Sequence, residues 1–245
     1  KILAVSGHPL EGESIASAEL YDLGTEKWST TGSLRQRRNG GNSATLLMDG
    51  RVILAGGHTN THVIHGTELF DPATGKWGDT GTLSIARDPV ATLLSDGRVL
   101  ATGGIDWFTD SGKVYALAEL YDAETGKWTT TGSLRTARSN PRSVLLDDNR
   151  VLVVGGYGNG DVLLKSAELY DPSTGLWQTS DSLPIARAWF GLVKLRDGRV
   201  LVAGGYTGRR ASQRSYLASV LIYDPQMGRW NEAPPMKDKR AGFSM

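Results

Sequence analysis

Ala167-Glu168-Leu169-Tyr170-Asp171 is followed six residues after its Asp by Trp177, and ten residues after that by Arg187. The same spacing joins Ala18-Glu19-Leu20-Tyr21-Asp22 to Trp28 and Arg38, and Thr67-Glu68-Leu69-Phe70-Asp71 to Trp77 and Arg87. It also joins Ala118-Glu119-Leu120-Tyr121-Asp122 to Trp128 and Arg138. Val220-Leu221-Ile222-Tyr223-Asp224, with Trp230 and Arg240, is a fifth copy in which Leu221 stands where the others have Glu. Read from Trp to Trp, the period is 49, 51, 49 and 53 residues. Glycine pairs keep the same rhythm at Gly56-Gly57, Gly103-Gly104, Gly155-Gly156 and Gly204-Gly205, with Ser6-Gly7 as a degenerate first copy. Recurrence at a fixed period marks a repeat architecture, in which each unit is one supersecondary element.

Each unit reads as four short strands. In the second, Ser43 to Met48 leads into Asp49-Gly50, a two-residue hairpin signal, and Arg51 to Ala55 forms an apolar strand ended by the glycine pair. After a variable loop, Thr67 to Phe70 is a third strand. Asp71-Pro72-Ala73-Thr74-Gly75 is turn chemistry, with Pro presetting φ and Gly supplying a left-handed position. Lys76 to Thr80 is the fourth. No stretch sustains a 3.6-residue apolar period, so helix is expected to be nearly absent.

Four-stranded units of about 50 residues, a Gly-Gly closing the second strand and a Tyr–Trp pair in the last two resemble the Kelch family of β-propellers, across essentially the whole chain. The resemblance implies an all-β Kelch-type propeller of four-stranded antiparallel blades around a channel, the first strand of each innermost; the two chain ends give a five-bladed ring, the alternative being a piece of a longer propeller with the six or seven blades usual in the family. It implies a single domain over 1–245, with blades at 1–34 plus 236–245, 38–83, 87–134, 138–183 and 187–235. Residues 236–245 are expected to pair beside residues 1–7 and close the ring, removing both sheet edges.

Composition narrows the function. Lys and Arg number 27 against 26 Asp and Glu, without the basic excess of a nucleic-acid binder. The longest apolar runs, such as Val151-Leu152-Val153-Val154, are too short to span a membrane. Gly reaches 31 of 245 residues, nearly double the usual share of about 7%, as many tight turns require. Cys is absent, which excludes disulfides, a thiolate nucleophile and the Tyr–Cys copper cofactor of galactose oxidase, a Kelch enzyme.

A residue found in every unit performs a task every unit needs, so the repeating Trp, Arg and Glu are assigned to packing and structural ion pairing. Function is sought where equivalent positions differ. After the glycine pairs stand His8, His58, Ile105, Tyr157 and Tyr206; after the repeating Arg stand Asn39, Asp88, Ser139, Ala188-Trp189 and Ala241. Both positions, with the second-to-third-strand loops, fall on one face, and in Kelch proteins they commonly line the ligand surface. The opposite face, built of repeating turns, is expected to be plain. The binding residues selected are Tyr157, Trp189, Tyr206 and Trp107, with Arg209, His58, His8 and Asp88 as polar partners. Trp107 and Trp189 alone among seven Trp lie outside the repeating position. Tyr157, Trp189 and Tyr206 are expected to share one sector. His8, His58, His62 and His65 are the candidate metal ligands, although no His-Glu-x-x-His motif accompanies them and no cofactor is assigned. The expected function is a non-enzymatic binding module for a protein or carbohydrate ligand, with neither nucleic acid nor membrane insertion. The alternative is a small-molecule enzyme of the sugar-mutarotase or glutaminyl-cyclase type, using Asp88, His8 and His58 at the channel mouth.

Overall fold

The structure is a computed structural model that describes residues 1–7, 12–39, 43–109, 112–208, 213–243 and 245. The first repeat forms a sheet of three strands in the order β1 (Ile2–Gly7), β2 (Ile15–Asp22), β3 (Lys27–Thr30). The second forms a meander of β4 (Ser43–Leu46), β5 (Val52–Ala55), β6 (Thr67–Asp71) and β7 (Lys76–Thr80). In the third, β8 (Val90–Leu93), β9 (Val99–Thr102), β12 (Ala118–Asp122) and β13 (Lys127–Thr130) make the same sheet, with a small hairpin of β10 (Ile105–Asp106) and β11 (Lys113–Val114) in its loop. The fourth repeat is β14 (Arg142–Leu145), β15 (Val151–Val154), β16 (Ala167–Asp171) and β17 (Leu176–Ser180). The fifth is β18 (Gly191–Lys194), β19 (Val200–Ala203), β22 (Val220–Asp224) and β23 (Arg229–Ala233), with a loop hairpin of β20 (Tyr206–Thr207) and β21 (Ser215–Tyr216). Helix among the described residues is one 3-10 turn, Asn159–Asp161.

The residues pack as two compact units. One holds Lys1–Ala101, Asp106–Asp110 and Glu119–Thr129; the other holds Thr102–Ile105, Ser111–Ala118 and Thr130–Met245.

The sheet of β1 gains no strand from residues 236–245, so the expected closing pair is not made among the described residues. The C-terminal residues instead lie against the fifth sheet, where Gly242 N–H donates to Trp189 O at 2.8 Å. The Asp-Gly turns differ from expectation as well. Leu47 N–H donates to Arg51 O at 2.8 Å, which leaves Met48, Asp49 and Gly50 as a three-residue loop with Gly50 at φ +86°. The third position needs a left-handed residue to keep the strands in register, and Gly supplies it.

The central strands explain the apolar runs. Val151, Leu152, Val153 and Val154 are fully buried because β15 is covered on both faces. Register places Tyr170 opposite Val151 on one side and Trp177 on the other. The Tyr170–Trp177 rings then sit 5.0 Å apart, a geometry shared by Phe70–Trp77 and Tyr223–Trp230 at 5.2 and 5.0 Å. Polar atoms of the same rings bind the preceding blade. Tyr170 OH meets Thr131 Oγ1 at 2.7 Å, Tyr223 OH meets Ser180 Oγ at 2.8 Å, and Trp177 Nε1 donates to Gly132 O at 2.6 Å. Trp28, in the first sheet, keeps its ring pair with Tyr21 at 5.2 Å but is 53% exposed.

The repeating Arg and Glu form buried pairs: Arg38–Glu68 at 2.5 Å, Arg87–Glu119 at 2.6 Å and Arg138–Glu168 at 2.7 Å. Each carboxylate also accepts backbone N–H groups from the turn before its Arg, as Glu168 does from Arg135 at 2.7 Å and Thr136 at 3.1 Å. A buried charge is tolerable only when paired and hydrogen-bonded, and here both conditions are met.

Candidate functional site

The selected residues separate into two clusters, one in each compact unit. In the first unit, Asp88 lies directly after the repeating Arg87 and is nearly buried. Its Oδ2 accepts from Trp107 Nε1 at 2.9 Å and is 2.8 Å from His58 Nδ1. Its Oδ1 is buried with no hydrogen-bond partner among the described residues. The Phe108 ring lies 6.3 Å from that of His58, and Trp107 and Phe108 are each 45% exposed. The loop after Gly57 is bridged on both sides of His58, to Asn39 and to Val63, which fixes the imidazole over Asp88.

The other histidines turn elsewhere. His62 Nδ1 is 2.9 Å from Thr59 Oγ1, and His65 is exposed. Among the described residues no group of three His, Cys, Asp or Glu is arranged to hold a metal. His8 and Arg209 lie outside the described residues.

In the second unit, Tyr157, Tyr206 and Trp189 come together. The Tyr157 and Tyr206 hydroxyls share a hydrogen bond. Burial above all, and then that bond, push the Tyr157 hydroxyl well above its ordinary pKa, while a hydrogen bond from the Trp189 side chain acts the other way. The ladder positions explain the convergence. Tyr157 pairs with Ser139 and Leu163, and Tyr206 pairs with Ala188, one residue before Trp189. The Gly-Gly pair lets the backbones meet, since a Cβ on Gly205, at φ +88°, would lie 2.7 Å from Ala188 O. The hairpin of β20 and β21 adds Tyr216, edge-on to Tyr206 at 6.1 Å, and Arg214, whose guanidinium stacks over the Tyr206 ring at 4.4 Å.

Trp189 precedes the inner strand, which starts at Gly191, and has φ +57°. Asn140 and Gly242, also two residues after a repeating Arg, have φ +47° and +69°. The left-handed turn therefore recurs at three of the equivalent positions; Gly or Asn occupies it with little strain, while Pro89, whose ring holds φ negative, takes the place in the third repeat. A bulky residue in a sparsely populated backbone region is held at a cost on the order of 1–3 kcal/mol. Burial does not compensate it, because Trp189 is 46% exposed. The sequence carried this signal at the residue two after each Arg: Gly40, Pro89, Asn140, Trp189 and Gly242. Arg214 and Tyr216 gave no such signal, because their pairing with Tyr206 depends on a loop hairpin.

The turn face is less plain than its sequence implies. It carries a groove lined by Asp147, Asp148, Asp197, Arg199 and Asp224, and a similar one lined by Asp49, Asp96, Arg98 and Asp122. These carboxylates are engaged locally: Arg199 Nε donates to Asp197 at 2.9 Å and Lys194 Nζ to Asp147 at 2.5 Å.

Comparison with known proteins agrees with this architecture. A family model described as the Kelch motif matches residues 138–184 and 196–237. A stretch of 63 residues, 25% of the chain, is 41% identical to an F-box/kelch-repeat protein of Arabidopsis thaliana and spans only 13% of that protein. The solved structure of YjhT superposes with a TM-score of 0.74 at 14% identity, over 95% of this chain and 80% of that one, a likeness of fold. The chain carries the Kelch motif over those two stretches and has a Kelch-type β-propeller fold. No helix among the described residues is long and apolar enough to cross a membrane.

Proposed function

We propose that the chain is a non-enzymatic binding module that recognises a protein ligand through the sector of Tyr157, Trp189 and Tyr206. The observation that carries this reading is Trp189: a large ring, half exposed, in a left-handed backbone slot that other repeats give to Asn or Gly. Aromatic residues and Arg on an open surface form the composition of protein-binding hot spots, where one ring contributes about 2 kcal/mol or more. A carbohydrate would stack on the same ring but is usually held in a more enclosed pocket.

The test is Trp189→Asn, which keeps the left-handed turn and removes the ring. Protein capture from the source organism, with purified chain as bait, should fall about thirtyfold in affinity, matching a loss of ~2 kcal/mol, while the melting temperature holds or rises. Retained capture with a lower melting temperature means that Trp189 serves packing, and the reading fails.

One observation favours an enzyme instead. A buried carboxylate holding a histidine ring is an arrangement used for acid–base chemistry, and His58 with Asp88 supplies it.

A further inference from the structure

Among the described residues of the second unit, Arg135, Arg142, Arg187, Arg196, Arg214 and Arg229 make no ion pair, and three of them, Arg142, Arg187 and Arg214, lie beside the aromatic sector. Arg187 is the repeating Arg of the fifth blade and is fully buried, but Leu221 occupies the Glu position of that blade. Among the described residues its guanidinium reaches only carbonyl oxygens, Gly204 O at 3.1 Å and Ile185 O at 3.4 Å. Burial lowers its pKa to about 10, so it remains charged at neutral pH. Arg142, at the loop-face end of β14, donates from Nε to Phe190 O at 3.1 Å, next to Trp189. Loss of hydration lowers its pKa, and no acidic group contributes to that shift. Arg214 is exposed on the Tyr206 ring, and its charge is felt at Tyr157. None of the three takes part in an ion pair among the described residues, whereas Arg38, Arg87 and Arg138 all do.

The loop sequence points the same way. Residues 206–217 carry Arg209, Arg210 and Arg214 and no acidic residue. In the neighbouring loop, 157–166, Asp161 is balanced by Lys165. The corresponding loop of the third repeat, 105–117, instead contains Asp106 and Asp110 against Lys113. An excess of one sign on a surface partly walled by low-dielectric protein selects the opposite sign in its ligand. Arg also suits carboxylates, because its planar fork gives two parallel hydrogen bonds.

We propose that the Tyr157–Trp189–Tyr206 sector recognises an acidic segment of its protein partner, with Arg142 and Arg214 meeting carboxylates while the unpaired Arg187 biases the sector beneath them. This rests on the binding reading above and adds the chemistry of the ligand. Trp189 and Tyr216, both exposed, and Arg214 stacked on the buried Tyr206 offer an open surface that suits an extended peptide better than a small acid.

The test uses a fluorescent hexaglutamate peptide, with hexalysine, a neutral Gly-Ser peptide and digalacturonate as comparison probes. Hexaglutamate should bind saturably, more weakly as salt rises, and the basic and neutral peptides should not. Arg214→Gln and Arg142→Gln should each weaken it about tenfold, the order expected for a lost charge-assisted bond. Leu221→Glu, which supplies Arg187 with a carboxylate below the surface, should weaken it about threefold, a field effect smaller than a lost contact. Binding indifferent to peptide charge, or no hexaglutamate binding, overturns the proposal, as does binding of digalacturonate alone. The underlying reading is judged separately. A partner still captured through Trp189, but insensitive to Arg214→Gln and Arg142→Gln, sinks the acidic ligand while leaving the binding module standing.

Discussion

The fourth and fifth blades share nearly every packing device and part at one residue. Both have a glycine pair, an inner strand of four residues and a Tyr–Trp pair at 5.0 Å. In the fourth, Arg138 reaches Glu168 at 2.7 Å; in the fifth, the position equivalent to that Glu is Leu221, which is buried, as Arg187 is. The fifth blade therefore lacks the ion pair that closes the second, third and fourth, and keeps the cation. The same blade supplies Trp189 in its strained turn and the arginine-bearing hairpin of β20 and β21. Departure from the repeat thus coincides with the residues that have most to offer a ligand.

Breaking the fourth blade should produce the largest effect. Glu168→Leu leaves Arg138 buried without a partner, which costs about 3–5 kcal/mol and lowers the melting temperature by on the order of 10 °C. Leu221→Glu makes the reverse change. Its new ion pair offsets the lost apolar packing, so thermal melts should place it within about 1 kcal/mol of the unaltered chain. Equal losses in both variants would show that the fifth blade has repacked around a lone arginine, and the contrast between the blades would disappear.

A smaller effect should come from Tyr157→Phe, which removes the hydroxyl shared with Tyr206 at a cost of about 1 kcal/mol. The folded chain holds that proton more tightly than the unfolded chain does. The hydroxyl therefore contributes stability that is complete below the ordinary tyrosine pKa of about 10 and lost as pH rises beyond it. Melts across the alkaline range should show a shallower decline for Tyr157→Phe. An unchanged decline would mean that Tyr157 is not the group responsible.

How legible this was in the sequence depended on whether the repeat reached the residue in question. Spacing of Trp28, Trp77, Trp128, Trp177 and Trp230 gave the sheets, and the Tyr and Glu at fixed offsets gave the ring pairs and buried ion pairs. Tyr157, Trp189 and Tyr206 were placed together by blade geometry, because the positions after Gly156, Arg187 and Gly205 are set by the ladder. Trp107 was not, since its loop is its own; its indole belongs with Asp88 and His58. The three-residue Asp-Gly turn was misjudged because Asp-Gly also ends a loop in which Gly alone is left-handed. The expected pairing of 236–245 beside β1 followed from residue arithmetic, and arithmetic carries no information about hydrogen bonds.

Hydrogen exchange on the chain alone and on its complex with the captured partner tests the central claim most directly. The account predicts slower exchange in 157–166 and 206–217, with the Asp-Asn turn at 147–150 and the Asp-Gly turn at 196–199 unchanged. Protection of those turns, with both loops exchanging as in the free chain, would contradict it.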